Sequence, residues 1–301
     1  MKLYAPKYYK KFKCIADKCK HTCCAGWVID IDEETMEKYR KCNHPYGKTI
    51  LESIEMIDTP SFKLTDKERC PHLNKKGLCE IILNLGEGYI CHICREHPRF
   101  YNDVSDGKEV GLGMACEEAA RIILTSDDYA ELVLLEEDSE PFEEIPFDVS
   151  LKRKLLYDIL SDSSSEYSEK LEKIYETFSV SPFCISDDGW KNVINELEYL
   201  DEEHKTMFLK YSSYITVESR YESYLKRTLA YFIYRHCTQV QDEFEFSESL
   251  GFCLFCERLF ASLLKSEREV NLENVIIFAR IISEELEYSE DNTERIKWEF
   301  C

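Results

Sequence analysis

At 301 residues and 44% hydrophobic content, the chain can bury one large core or two ordinary ones. Its net charge of -21 is uneven: residues 1–116 carry 19 Lys and Arg against 17 Asp and Glu, whereas residues 117–301 carry 19 against 42. That acidity excludes nucleic acid as the expected partner, because phosphate contacts need Lys and Arg, and no apolar run approaches the roughly 20 residues of a membrane-spanning helix. A basic partner or a lysine-bearing substrate suits an acidic half of this kind, as does a plain solvated helical surface.

The first seven residues, Met1 to Lys7, lack the apolar core of an export signal. The chain is therefore expected in the cytoplasm, among reducing thiol buffers that make structural disulfides rare. This matters because ten of the fifteen cysteines fall between residues 14 and 116. Metal is the expected explanation, and disulfides the alternative if a signal peptide has been removed.

An aromatic and basic lead-in, residues 4–13, precedes Cys14-x4-Cys19-x3-Cys23-Cys24. Short gaps between cysteines let two or three sulfurs turn inward from a tight loop onto one ion or cluster. The radical S-adenosylmethionine signature, Cys-x3-Cys-x2-Cys, fails here because Gly26 stands where its third cysteine belongs. Alternation over 28–32 predicts a short strand. Asp32 then reads as the N-cap of a helix over 33–40, with Glu33 and Glu34 in its first turn.

Cys70-Pro71-His72 and Gly77-Leu78-Cys79 flank a predicted turn with its tip at Asn74 to Gly77, which returns Cys79 beside Cys70. A short helix over 80–84 ends at Gly86, and Cys91-His92-Ile93-Cys94 supplies a two-residue knuckle. Alternation predicts a strand over 109–114. Its Gly111 and Gly113 are the one candidate for a nucleotide-binding turn, but the third glycine of such a turn is absent. Cys116 then begins a helix, where the N-terminal dipole favours a thiolate.

These motifs, taken together, resemble a known family. Cys70-Pro-x-Leu, Gly77-Leu-Cys-x-Ile and Cys94-Arg-x-x-Pro-Arg are similar to a bacterial zinc- or iron-chelating domain family. More of the chain resembles the flagellin lysine N-methylase family: Tyr8-x3-Phe12-x-Cys14-Ile15, Cys19-x-x-Thr22-Cys23-Cys24-x-Gly26-Trp27, Leu85-Gly86-Glu87 and Cys116-x-Glu118-Ala119-Ala120-Arg121. Looser matches follow at Tyr221 to Leu225, Tyr234-Arg235-His236 and Leu286 to Asn292. Glu117 and Tyr288 depart from the proline and histidine of the family pattern. The resemblance implies methyl transfer from S-adenosylmethionine to lysine side chains of flagellin. It also implies an iron–sulfur centre, [4Fe–4S] by preference, in the N-terminal part. A protein-bound lysine attacks a sulfonium methyl only when neutral, so such an enzyme must desolvate the amine or offer it a base. Composition nominates no catalytic or S-adenosylmethionine-binding residue.

Beyond residue 121 the pattern is helical. Helices are predicted over 119–124, 128–135, 151–160, 167–178, 189–200, 221–237, 247–265 and 272–288, with an acidic linker at 136–148 and an exposed loop at 161–165. Asp187 or Asp188 is the expected cap of the fifth. The expected fold is mainly α: a cysteine-rich, metal-organised N-terminal lobe of mixed α+β and loop structure over 1–135, then an acidic helical lobe over 136–301. The candidate metal ligands are Cys14, Cys19, Cys23, Cys24, Cys70, Cys79, Cys91, Cys94 and Cys116, with Cys19, Cys23, Cys70, Cys79 and Cys94 foremost. Nine thiolates exceed the four of one zinc or [4Fe–4S] site, so either some only pack or two centres exist. Spacing does not choose between zinc and iron–sulfur. His21, His72, His92 and His97 could each replace a cysteine as ligand. Cys42, Cys184, Cys237, Cys253, Cys256 and Cys301 are expected to pack, and His204 and His236 to be surface or satisfied core residues. The alternative function is a non-catalytic iron–sulfur or zinc protein that senses redox state or binds a partner.

Overall fold

The structure is a computed structural model and describes residues 1–56, 58–138, 145 and 147–300. The chain opens on strand β1 (Lys2–Pro6), then runs through helices α1 (Glu33–Arg40) and α2 (Pro45–Glu52), strands β2 (Ile54–Met56) and β3 (Pro60–Phe62), and helices α3 (Glu80–Leu85) and α4 (His92–Glu96). It continues with strands β4 (Arg99–Val104) and β5 (Gly107–Leu112), helix α5 (Glu117–Thr125) and strand β6 (Leu132–Glu137). Eight helices follow: α6 (Ser150–Ser161), α7 (Tyr167–Phe178), α8 (Asp187–Glu196), α9 (Glu202–Phe208), α10 (Glu222–His236), α11 (Glu243–Ser266), α12 (Leu272–Ile282) and α13 (Glu290–Lys297). Helix thus dominates, as expected, and among the described residues no helix is long and apolar enough to cross a membrane.

Two compact units divide the chain, Lys13–Pro98 and Met1–Phe12 with Arg99–Cys301. Each has its own apolar core. The division expected near residue 135 falls inside the larger unit, because β1 lies between β5, its parallel neighbour, and β6, its antiparallel one, in a sheet of order β4-β5-β1-β6. Gly107 begins β5 at φ +156°, where a Cβ would collide with the Lys2 carbonyl; only glycine lets the two strands approach there.

In the smaller unit, α1 is capped as the sequence predicts: the Asp32 carboxylate accepts from Thr35 N at 2.9 Å. The 70–79 turn also forms. Asn74 Oδ1 accepts from Lys76 N and Leu78 N, and Gly77 takes φ +74°. Residues 28–32, expected as a strand, make one bridge, Asp30 to Ser61, beside β3; a three-residue partner leaves no room for a longer ladder.

In the larger unit, α7 matches its predicted limits, and Glu166 with Glu169 closes a capping box at its start. Helix α11 is buried almost all round, which marks it as the centre of the core. Gly251 on α11 admits the Phe300 ring where a Cβ would clash. Three expectations are corrected. Residues 132–135, read as helix, form β6, because pairing with β1 decides a short apolar run whose periodicity is ambiguous. The cap of α8 is Ser186 rather than Asp187 or Asp188; the Asp187 carboxylate instead accepts from Ser212 Oγ and Ser213 N. The predicted 272–288 helix stops at Ile282 and passes into a π-helical turn, Ser283–Glu287. The linker read at 136–148 begins within β6, and its residues 139–144 and 146 lie outside the described residues, as does Cys301.

The glycine-bearing segment runs as strand β5 as far as Leu112, with Gly113 just past its end, and does not form the strand–turn–helix of a nucleotide-binding turn. Gly111 makes room for the Phe100 ring, and Glu109 forms a buried ion pair with Arg153, each side chain 6% exposed, through Arg153 Nη1 to Oε2 at 2.9 Å. Removing one partner of such a pair strands the other charge in the core. Arg153→Met is therefore expected to cost about 3–5 kcal/mol in urea unfolding, and the double variant with Glu109→Gln to regain part of it. A loss below about 1 kcal/mol for Arg153→Met would show that the pair contributes no more than an exposed one.

Candidate functional site

The cysteines of the 13–98 unit separate by surroundings. Cys70 and Cys91 are buried and Cys24, Cys79 and Cys94 half-buried, all five in the unit's one apolar core. Local geometry brings them there. Cys70 N donates to the Cys24 carbonyl at 2.8 Å, and the Ala25–Arg69 bridge ties the two cysteine loops together. The turn at 74–77 sets Cys79 opposite Leu73. Cys79 and Cys91 are the N-caps of α3 and α4, and Cys94 follows Cys91 by almost one turn, which brings the two thiols within each other's influence. The Tyr39 hydroxyl donates to the Tyr89 carbonyl at 2.7 Å and lies 3.7 Å from Cys91 Sγ.

The five sulfurs feel one another's charge. Burial pushes Cys70 up to about 12, with Cys24, Cys79 and Cys91 adding to the rise. Cys79 is also raised by burial. Cys94 is raised by its hydrogen bond to Cys91, then by burial and the charges of Cys91, Cys24 and Cys70. Cys91 is lowered by the Cys94 hydrogen bond against its own burial, and Cys24 is lowered to about 7 by Cys23. The core therefore tolerates one or two thiolates and resists more, as like charges in one site must.

Among the described residues no cysteine forms a disulfide. Among the described residues no three His, Cys, Asp or Glu side chains close on a metal ion. The donor set itself is soft and all-sulfur, which suits zinc or an iron–sulfur cluster over a hard cation.

Of the foremost candidates, Cys70, Cys79 and Cys94 lie in this group and Cys19 and Cys23 do not; Cys24 and Cys91 take their places. Cys14 and Cys23 are exposed, and the Cys19 thiol donates to the His21 carbonyl. Cys116 belongs to the larger unit, where it is the N-cap of α5. Cys42 packs on Gly47, and Cys237, Cys253 and Cys256 are buried core, whereas Cys184 is exposed rather than packed. His72 is not spare: its ring nitrogens meet Tyr46 Oη at 2.9 Å and Ser53 Oγ at 2.8 Å, and burial lowers it to about 4. His97 packs its ring toward Trp27, the centroids 6.3 Å apart.

The larger unit holds a polar concentration that the sequence does not advertise. Glu287, with its side chain fully buried at the end of the π-helical turn, accepts from Tyr231 Oη at 2.8 Å and pairs with His236 Nε2 at 2.7 Å and Arg235 Nε at 3.2 Å. Burial pushes its carboxyl up, but Arg235 and His236 pull it down by more, so it stays ionised. A faint trace of this concentration in the sequence is Tyr231 and Arg235, one turn apart at the more buried end of α10.

Part of this chain is similar to the lysine-N-methylase and flagellar FliU proteins of Salmonella. It is 27% identical over 130 residues to a lysine-N-methylase of Salmonella typhimurium, covering 41% of this chain and 32% of that protein. The match to the lysine-N-methylase of Salmonella choleraesuis has the same identity and extent. It is 28% identical over 130 residues to the flagellar biosynthetic protein FliU of Salmonella muenchen, covering 77% of that protein. The match spans about a third of the two lysine-N-methylases. No family model matches, and no solved structure matches.

The division between exposed and buried thiols is directly measurable. In metal-free native protein a maleimide is expected to label Cys14 and Cys23 within minutes and Cys70 and Cys91 only after denaturant is added, as read by peptide mass spectrometry. Equal native labelling of all four would mean that the thiol core is not closed.

Proposed function

We propose that this protein transfers methyl groups from S-adenosylmethionine to lysine side chains of a protein, flagellin first among them. The observation that carries the reading is the relatedness to lysine-N-methylases over 130 residues, beside a FliU protein whose name is flagellar. Chain motifs over the first 121 residues, and the acidic balance of 117–301, support it: a carboxylate-rich surface suits a cationic lysine substrate.

A zinc ion or iron–sulfur cluster would be held by thiolates drawn from Cys24, Cys70, Cys79, Cys91 and Cys94, the set whose softness fits it. Bound there, such a centre supplies a charge-neutralising fold staple or an electron carrier. The protein's own part in methyl transfer is to strip water and a proton from the lysine amine and to hold nitrogen, methyl carbon and sulfur in line, which converts a bimolecular encounter into a positioned one. Aromatic faces and carboxylates can steady both cations, the ammonium and the sulfonium.

Incubation of metal-reconstituted protein with purified flagellin and S-adenosylmethionine labelled in its methyl group is the test. Label is expected on flagellin lysines, located by peptide mass spectrometry. No transfer by folded, reconstituted protein to flagellin or to other lysine-rich proteins would overturn the reading. The alternative, a redox-sensing or partner-binding iron–sulfur or zinc protein, would then follow.

A further inference from the structure

Beside the buried Glu287 lies a cavity of about 360 Å³, within the range of small-molecule sites. His236, at the end of α10, forms part of its wall. Glu245 and Glu248 of α11 and Glu294 of α13 add three carboxylates, and Lys297 and Arg235 two cations. Three carboxylates thus stand against two cations in the lining, and one of those cations, Arg235, is turned to Glu287 outside it.

The His236 ring is held on several sides. Phe232 stacks at 6.2 Å, Phe252 meets it edge-on at 4.8 Å, and Glu287 takes Nε2. An ionised carboxylate on Nε2 fixes the tautomer with the proton there and leaves Nδ1 as the acceptor. Among the described residues nothing hydrogen-bonds Nδ1. Burial lowers the His236 pKa against the pull of Glu287, so the ring is neutral and ready to take a proton. The carboxylate sits at the end of a π-helical turn, a local distortion frequent at functional sites.

We propose that this cavity receives an alkylammonium side chain, that of lysine, and that His236 is the general base that deprotonates it, with Glu287 as the residue that positions and polarises the imidazole. The base role rests on the methyl-transfer reading above; the binding role does not. In the reaction the ammonium gives one proton to Nδ1, and the freed nitrogen pair attacks the sulfonium methyl. An N–C bond forms, the S–C bond breaks, and its electron pair leaves on sulfur as the neutral thioether. The imidazolium then releases its proton to solvent.

The test has two arms, both on the full chain. In the first, NMR of ring-labelled histidine, with His236 assigned by its loss in His236→Gln, follows titration with Nα-acetyl-lysine methylamide and with its uncharged norleucine analogue. The lysine probe is expected to shift the His236 resonance saturably. The norleucine probe should not, and Glu245→Gln with Glu248→Gln should weaken the response at least tenfold. No shift, or equal shifts with both probes, overturns the site whether or not the protein methylates anything.

In the second arm, His236→Gln is expected to lower kcat on the order of 100-fold at neutral pH with little change in KM, a gap that closes as pH rises toward the lysine pKa. Glu287→Gln should reduce kcat less and shift the acid limb of the pH profile. Arg235 and Glu287 face the ring from α10 and the π-helical turn, Glu245 and Glu248 from α11, and Glu294 and Lys297 from α13, so the limb reports the whole group. An unchanged kcat in folded His236→Gln overturns the base role. Probe binding in a protein that transfers no methyl group upholds the site and discards the methyl-transfer reading.

Discussion

Five thiols share one small core, and that core cannot hold five negative charges. Each sulfur that ionises raises the cost of ionising the next, and burial adds its own penalty, so Cys70, Cys79 and Cys94 are all held above the ordinary thiol range. The 13–98 unit leans on this group heavily. Its buried apolar set is Ile29, Ile31, Tyr39, Ile50, Phe62, Ile81 and the two cysteines Cys70 and Cys91. A core of that size is marginal without a staple. A bound thiophilic centre, as proposed above, would remove both difficulties together, discharging the thiolates and cross-linking the loops that carry them.

The larger unit meets the same cost differently. Its buried charges come with partners already in place: Glu109 with Arg153, Glu257 with Arg258 and the Tyr167 hydroxyl, and Glu287 with Arg235 and His236. Around them α11 supplies a nearly continuous apolar surface. Paired charges inside such a core are costly to break and specific in geometry. Glu285 is paired in the same way with His204, and the group of Glu287 differs in that its histidine and arginine line a cavity.

Much of the fold was legible in the residues. Asp32 with its two glutamates announced α1, the Asn74 to Gly77 tip announced the turn that returns Cys79, and the apolar spacing of 167–178 gave α7 its limits. Local signals sufficed there because the partner atoms are local. Strand β6 was not legible: four apolar residues in a row fit either period, and β1, more than 125 residues earlier, decides the matter. The Ser186 cap was hidden because Asp187 is taken by Ser212 and Ser213 from a distant loop. For the thiols, spacing did not tell which of them share the apolar core of the 13–98 unit; Cys24 and Cys91 enter it through backbone pairings and helix starts that no gap length encodes. The His236–Glu287 pair joins residues 51 apart: Tyr234-Arg235-His236 and Leu286 to Asn292 stand out separately as loose family matches, but no local pattern tells that they meet.

The central claim is that a thiolate-held centre organises the 13–98 unit, and it is tested most directly by anaerobic purification followed by iron, zinc and acid-labile sulfide analysis of the protein and of Cys70→Ser and Cys91→Ser variants. The account predicts stoichiometric metal, with broad absorption near 400 nm and sulfide if it is an iron–sulfur cluster. It predicts loss of that metal in both variants and its retention in Cys184→Ser. Protein that folds stably with no metal and with its thiols paired as disulfides would contradict it.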